Sequence, residues 1–228
     1  MIYVGLDDTD VLESRGTGHL ARAIAGELAQ RYPLAGVTRH QLLRDPRIAC
    51  TKNNSSAAIL FAVPDDVSPA VLFEQVSQLM LADAVAGSDP GLCVASDVPA
   101  PITAFGRRTQ REIVTQAQAL RLAEAHGIML TGLGGDHSGV IGALAAVGLA
   151  ASGDDGRYVL VGRSRELRGL QPVSALLAAG IAAVETIEGD PVMDGLIQTD
   201  RLRPARRRHM PIAIVEQGDG CWIPLKLD

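Results

Sequence analysis

Ile2-Tyr3-Val4-Gly5-Leu6-Asp7-Asp8-Thr9-Asp10 opens the chain and sets how everything after it is read. The apolar run Ile2 to Leu6 is rich in strand formers, and carboxylates at positions 7, 8 and 10 follow at once. The turn-like segment Glu13-Ser14-Arg15-Gly16 leads into Thr17-Gly18-His19, after which Leu20, Ile24 and Leu28 recur at helical spacing. The acids therefore fall where a first strand ends and the loop to a first helix begins, the edge at which open α/β sheets bind ligands. Carboxylates this close repel one another unless a cation or strong donor sits among them, and hard oxygen ligands suit Mg²⁺. This reading makes Asp7, Asp8 and Asp10 metal ligands, with Asp8 also catalytic. Gly16, Thr17 and Gly18 come at the helix N-terminus, where free N–H groups and the helix dipole favour phosphate. The plainer alternative is a solvated loop of turn-forming Asp residues with Thr17 as an N-cap.

Composition limits the classes of function. The chain has 228 residues, 47% of them hydrophobic and only 3% aromatic, so Ala, Val, Leu and Ile must build its core. A net charge of -5 argues against attraction of the whole surface to nucleic acid or acidic membrane, though not against a local basic patch. Cys50, Cys93 and Cys221 stand far apart with no Cys-x-x-Cys pair, which excludes a zinc ribbon and points to a reducing cytoplasm. The N-terminus lacks the basic region of a signal peptide, and no apolar run reaches the length of a membrane span. A cytoplasmic protein without membrane contact is expected.

Further along, Val37 to Arg44 and Ala57 to Val63 read as strands, the second continuously apolar. Ser68 reads as an N-cap with Pro69 in the first turn of a helix to about Ala84. Gly87-Ser88-Asp89-Pro90-Gly91 marks a loop before a short strand, Leu92 to Ala95. The order over residues 1 to 97 is βαββαβ, the ferredoxin-like pattern. Asp97-Val98-Pro99-Ala100-Pro101 reads as a boundary, so residues 98 to 228 form a second α/β half. That half is expected to hold a helix from Thr109 to His126, an apolar helix from Val140, strands at Tyr158 to Gly162 and Ile181 to Ile187, and a helix at Val173 to Ala179. A C-terminal hairpin (Pro211 to Val215, Cys221 to Leu225) turns at Gly218-Asp219-Gly220. The predicted class is α/β (α+β), two halves packed together or one interleaved unit, with the site between them.

Three more stretches carry chemistry. Gly132-Leu133-Gly134-Gly135-Asp136-His137-Ser138-Gly139 runs straight into an apolar helix, so Gly132, Gly134, Gly135, Ser138 and Gly139 are candidate phosphate contacts. It is neither a Walker A motif nor a dinucleotide fingerprint, and it reads equally as a turn. His137 is a catalyst or a surface residue, and Asp136 a ligand or a helix cap. Arg44 to Ser55 offers Arg44, Lys52, Asn53 and Asn54 as forks and amides for a nucleotide, or forms a solvated crossover. Within it Cys50 reads as a reactive thiol or a small buried hydrophobe. The run Arg201-Leu202-Arg203-Pro204-Ala205-Arg206-Arg207-Arg208 either contacts RNA through its five arginines or is a solvated edge.

Taken together these blocks resemble the archaeal tRNA-isoleucine agmatidine (agmatinylcytidine) synthetase family. Gly5-Leu6-Asp7-Asp8-Thr9-Asp10 with Arg15-Gly16-Thr17 is similar to that family's N-terminus. Leu43 to Ile48 with Thr51 and Asn53, then Asp89-Pro90-Gly91, then Gly139-Val140-Ile141-Gly142-Ala143-Leu144-Ala145-Ala146-Val147-Gly148, resemble its later blocks in the same order. The resemblance implies an ATP- and magnesium-dependent, kinase-like core that phosphorylates a carbonyl oxygen and lets an amine displace the phosphate. It also implies that Asp7, Asp8 and Asp10 hold Mg²⁺–ATP, that the glycine loop lines the phosphates, and that Thr17 matches a threonine phosphorylated in the family. Asp136-His137-Ser138 departs from the family's Asn-Gly-Arg, and a short homologue without the family's nucleic-acid barrel and zinc module is expected. The expectation is accordingly a short ATP/Mg²⁺-dependent phosphoryl- or nucleotidyl-activating enzyme acting on a small molecule. Tetrahydromethanopterin-linked one-carbon metabolism is the setting the resemblance suggests, and a homodimer is an open possibility. The alternatives are an RNA (tRNA) modification enzyme or subunit and a non-catalytic nucleotide-binding regulator.

Overall fold

Strand β1 (Ile2–Asp7) alternates, and the alternation divides the molecule's interior in two. Ile2, Val4 and Leu6 point to one face of the sheet, while Tyr3, Gly5 and Asp7 point to the other. The computed structural model describes residues 1–11, 15–48, 50–51, 53–64, 67–83, 85–200 and 202–227. The chain divides into two compact units, Met1–Ser152 and Gly153–Asp228. The described residues form twelve strands and six α-helices, the mixed α+β class expected.

In the first unit, β1 is the central strand. After it come α1 (Thr17–Leu28), β2 (Leu34–Gln41), β3 (Ser55–Phe61), α2 (Pro69–Ala82) and β4 (Gly91–Ala95), the βαββαβ order read from the sequence. β1 is antiparallel to β3 through Val4↔Ile59 and to β4 through Val4↔Val94, and β2 pairs β3 through Val37↔Ile59. A fifth strand, β5 (Met129–Gly132), adds to β4, giving the order β5-β4-β1-β3-β2. Helices α1 and α2 cover the Ile2–Val4–Leu6 side, with Leu20, Ile24, Leu28, Leu72, Val76 and Met80 buried. Each fully buried Leu or Ile contributes roughly 1.5–3 kcal/mol. The start of α2 follows the sequence: the Ser68 hydroxyl accepts the N–H of Ala70, and Pro69 fits the first turn.

The opposite face is covered by α5 (Val140–Ser152), packed with α3 (Ala100–Thr109) and α4 (Gln116–Ala125) around Cys93, Ile102, Phe105, Leu144 and Leu149. Ala and Gly make up about half of α5, and the glycines let its backbone lie directly on the sheet. A Cβ on Gly5 would strike the carbonyl of Ala143, and one on Gly142 would strike the Asp7 carboxylate. The floor of the site is therefore set by missing side chains.

Three expectations are corrected here. Pro99-Ala100-Pro101 is the start of α3, not a linker, because Pro at the first helical turn loses no intrahelical bond. The helix expected from Thr109 to His126 is shorter: Thr109 closes α3, residues 110–115 are not helical, and a capping box of Thr115 and Gln118 starts α4. The division expected at 97/98 falls inside the first unit, because β5 pairs β4 and α5 packs on β1 and β4. Both the acidic motif and the glycine loop consequently belong to one unit, not to two facing halves.

The second unit contains β6 (Arg157–Leu160), β7 (Leu170–Pro172), α6 (Val173–Ala178), β8 (Ala183–Thr186), β9 (Leu196–Gln198), β10 (Ala205–Arg207), β11 (Met210–Gln217) and β12 (Trp222–Pro224). Its strands run β6-β10-β11-β12-β9-β7, with β8 parallel to β11. The hairpin read around Gly218-Asp219-Gly220 is β11–β12, in register through Val215↔Pro224. A second hairpin, β10–β11, turns at Arg208 and His209, both with positive φ (50° and 62°), as a two-residue turn of this twist requires. Among the described residues, no helix is long and apolar enough to cross a membrane.

Candidate functional site

The C-terminal end of β1 opens into a cleft of about 150 Å³. Its polar end carries Asp7, Asp8, Asp10, Thr17, Thr51 and Ser138. Its apolar wall comes from Leu42, Ile48, Ile113, Val114 and Ile141. The sequence candidates Asp7, Asp8, Asp10, Thr17, Asn53, Asn54 and Ser138 all line it.

Asp7 ends β1 and lies against Gly142, held there because that helix position has no side chain. Burial first, then the charge of Asp8, pushes its carboxyl up to about 7. Asp8 follows in the left-handed region at φ 51°, uncommon for a residue with a Cβ. Its backbone carbonyl accepts the N–H of Asp89 (3.1 Å), and its Oδ2 accepts the Ser138 hydroxyl (3.0 Å). Burial raises the Asp8 pKa; the Ser138 bond opposes that shift, while the charges of Asp89, Asp10 and Asp136 add to it. Two acids with raised pKa values thus share one cleft wall.

Asp10, expected as a metal ligand, is engaged by the protein's own hydroxyls and an N–H. Its Oδ1 accepts the Thr17 hydroxyl (3.0 Å) and the Thr17 N–H (3.3 Å), and its Oδ2 accepts the Thr51 hydroxyl (3.0 Å). Thr9 in turn donates to Thr17 Oγ1 at 3.1 Å. The anion at the N-terminus of α1 is thus the protein's own Asp10 carboxylate, standing where phosphate was expected. Gly16 is the N-cap without a side-chain bond, the Gly18 carbonyl accepts from Arg22, and neither glycine lines the cleft. Asp10 ties the β1–α1 loop to the segment around Thr51 and has both oxygens engaged. Among the described residues, no group of three His, Cys, Asp or Glu side chains is disposed to hold a metal ion. Among the described residues, Asp8 accepts a side-chain bond from Ser138 alone, and the bond Asp7 has comes from the Asp8 backbone.

The glycine loop is built otherwise than a phosphate cradle. The Asp136 N–H donates to Asp89 Oδ1 (2.5 Å), Gly139 N–H to the Asp89 carbonyl (3.1 Å), His137 N–H to Gly134, and Ser138 N–H to Asp136 Oδ1 (2.8 Å). These bonds engage the loop N–H groups with the protein's own Asp89 and Asp136 carboxylates and with carbonyls, leaving them unavailable to a phosphate. Gly132, Gly134, Gly135 and Gly139 do not line the cleft; Gly132 instead makes room for the His137 side chain, and Gly139 for Asp89. Asp136 is an exposed brace, its pKa held low by the Ser138 hydroxyl and N–H, and His137 is exposed at φ 66°. Neither reaches the cleft, so the catalytic roles expected for them have no support in the geometry. What the loop delivers is Ser138.

In the third stretch, Asn53 lines the cleft, while the Asn54 side-chain amide donates to the Leu43 carbonyl (2.9 Å) and fixes the chain path. Arg44 reaches Gln41 Oε1 (3.4 Å) and lies off the cleft, and Lys52 is outside the described residues. Cys50 is exposed on the cleft wall, not a buried hydrophobe. The basic run is largely committed to its own unit. Arg206 is buried and donates to the Tyr158 hydroxyl and the His209 carbonyl, Arg207 to the Asp154 carbonyl, and Arg203 to the Leu202 carbonyl. Arg208 is ion-paired with Glu185, and Arg201 is outside the described residues. These bonds tie much of the run into the hairpin of its own unit.

Sequence reasoning missed three participants. Asp89, the hub joining the acidic and glycine loops, was visible only within Asp89-Pro90-Gly91. Glu112 and Ile113 at the cleft rim were assigned to a helix interior and carry no local signal.

The first unit is thus an α+β fold with an acid-lined cleft at the end of its central strand. No family model matches the chain, and no curated protein matches it. Solved structures do match. A "tRNA fluorescent labeling enzyme" aligns at 25% identity and a TM-score of 0.57, over 64% of this chain and 35% of that one. TiaS, tRNA(Ile2) agmatidine synthetase, aligns in its complex with tRNA(Ile2) and ATP at 24% identity and a TM-score of 0.57, over 64% of this chain and 36% of that one. Its complex with tRNA(Ile2), AMPCPP and agmatine aligns at 24% identity and a TM-score of 0.55, over 64% and 35%. The chain spans about a third of the length of the proteins it matches. The resemblance to agmatidine synthetases read in the sequence therefore holds at the level of the fold.

Proposed function

We propose that this chain is an ATP- and Mg²⁺-dependent enzyme that modifies RNA, with tRNA as the acceptor class. The observation that carries the reading is the Asp7–Asp8–Ser138 constellation on a cleft wall, in a fold shared with a synthetase solved with ATP and tRNA(Ile2). The small-molecule acceptor and the one-carbon setting are set aside, since nothing among the matched structures supports them and two of them are complexes with tRNA(Ile2).

Mg²⁺ fits the donors present. It usually takes one or two carboxylates and completes its shell with phosphate oxygens and water, and Asp7 and Asp8 offer such a pair. Their raised pKa values are what a cation would relieve. When bound, the ion supplies neutralisation of charge developing on the transferring phosphoryl group. The chain's own residues do the positioning. Ser138 orients Asp8 by donating to it, and Asp10 joins Thr17 and Thr51 so that the two loops flanking the cleft keep one spacing. Leu42, Val114 and Ile141 give a dry surface for a base, and Ile113, 46% exposed, extends that surface to the rim. Thr17 is buried to 7% exposure and its hydroxyl is already engaged, so its part here is structural.

Calorimetric titration with ATP, with and without Mg²⁺, tests the reading on the wild type and Asp8→Asn. Metal-dependent binding that falls at least about tenfold in the variant, the equivalent of one lost charge-assisted contact, is the expected result. Unchanged binding in Asp8→Asn would sink the assigned site. Binding without phosphate release in the presence of tRNA would leave a nucleotide-binding protein in place of an enzyme.

A further inference from the structure

Beside the cleft, α3 and the turn after it carry Arg107, Arg108 and Arg111 along an open groove of about 550 Å³. Glu112 lines both the groove and the cleft, and Thr109, the last residue of α3, lies on the cleft wall, so the two concavities are contiguous. Arg107 and Arg111 are exposed and have no ion pair among the described residues. Arg108 Nε makes no hydrogen bond, its nearest acidic partner being Glu112 Oε2 at 3.6 Å. Two ordinary explanations cover part of this. A helix C-terminus attracts a cation, and Arg108 with Glu112 makes an i,i+4 pair. Neither accounts for three guanidinium groups on one concave surface of a chain whose net charge is -5.

The cleft itself poses the complementary problem. A polyanion approaching Asp7, Asp8 and Asp10 is repelled, so any RNA nucleotide entering there needs a cationic surface next to the acids. Guanidinium forks match phosphate oxygens bidentately, and splayed single-stranded nucleotides place the backbone on such a surface while the base enters an apolar pocket. We propose that the Arg107–Arg108–Arg111 groove is the track for an RNA sugar-phosphate backbone, holding the nucleotides that flank the one whose base enters the cleft. The inference rests on the RNA reading above and assigns that reading its contact surface, in place of the Arg201 to Arg208 run.

The test is fluorescence anisotropy of a fluorescein-labelled RNA stem-loop with cytidine in its loop, titrated with the full chain over a range of salt. Wild type is compared with Arg107→Glu/Arg111→Glu and with the milder Arg107→Gln/Arg111→Gln, with thermal melts as the check on folding. The glutamate variant should bind about tenfold or more weakly at about 0.1 M salt, with a log–log salt slope flatter by about 1.4–1.8 for two lost phosphate contacts. The glutamine variant should follow in the same direction, and Mg²⁺–ATP titration should be unchanged in both. Variants that bind RNA with wild-type affinity and slope would overturn the groove while leaving the RNA reading in place. A wild type that binds Mg²⁺–ATP but no RNA would overturn both.

Discussion

Asp7 shows how a single carboxylate couples stability to chemistry. Its pKa is raised from 3.8 to about 7, so the folded state prefers it protonated. The stability this group contributes is therefore full below the unfolded value and lost as pH rises through about 7. Mg²⁺ binding needs the opposite form and should tighten over the same upper range. Asp7→Asn separates the two effects. In thermal melts without ligand, it should raise Tm at pH 8 and flatten the decline between pH 4 and 7, because a neutral amide needs no ionisation. It should also abolish the rise in Tm that Mg²⁺–ATP gives the wild type. A lower Tm at pH 8 would mean that the ionised carboxylate makes net favourable contacts in the protein alone.

At the scale of elements, α5 decides the shape of the cleft floor, and two glycines predict opposite outcomes for one chemical change. Gly142→Ala places a methyl against the Asp7 carboxylate and should cost about 1–3 kcal/mol in denaturant unfolding, with loss of Mg²⁺–ATP binding. Gly26→Ala, on the exposed face of α1 with nothing within 4 Å, should stabilise by about 0.5–1 kcal/mol and leave binding alone. If both destabilise, close packing is not what glycine provides at 142. The elements that were legible in sequence carry their instructions locally. β1 alternates, α1 has its Leu20–Ile24–Leu28 spacing, and α2 announces itself by Ser68-Pro69. The ones misread do not. Pro99-Ala100-Pro101 fits a linker as well as a helix start, and the Thr115–Gln118 capping box breaks an otherwise continuous helical pattern. Four-residue β5 becomes a strand only because β4 is beside it. The site divides the same way. Asp7, Asp8 and Ser138 were visible as residue types in suggestive positions. That Asp10 answers to Thr51, and Asp89 to Asp136, depends on pairs 41 and 47 residues apart, which local sequence does not encode.

For the whole molecule, every described residue of the cleft and of the arginine groove lies in Met1–Ser152. Hydrogen exchange should therefore show Mg²⁺–ATP protection confined to the β1–α1 loop, the segment around Thr51 and the loop before α5. Exchange in residues 153–228 should change little, since that unit's own core, around Leu176, Ile197 and Val215, is complete without the ligand. Protection concentrated beyond residue 152 would place the nucleotide elsewhere. The boundary itself was illegible because no change of composition marks it. α5 runs to Ser152, and Gly153, at φ 79° against the His209 ring, begins the second unit in what reads locally as a helix end.

The left-handed backbone at Asp8 sets durability against use. Glycine at that position would relieve the backbone and remove a carboxylate crowded by Asp10, Asp89 and Asp136, at the loss of one bond from Ser138. A library of variants selected only for surviving heat should accumulate Asp8→Gly, and those survivors should be catalytically silent. On the function proposed above, aspartate at position 8 would then mark copies of this chain in which metal–nucleotide binding is under selection, and glycine there would mark copies released from it.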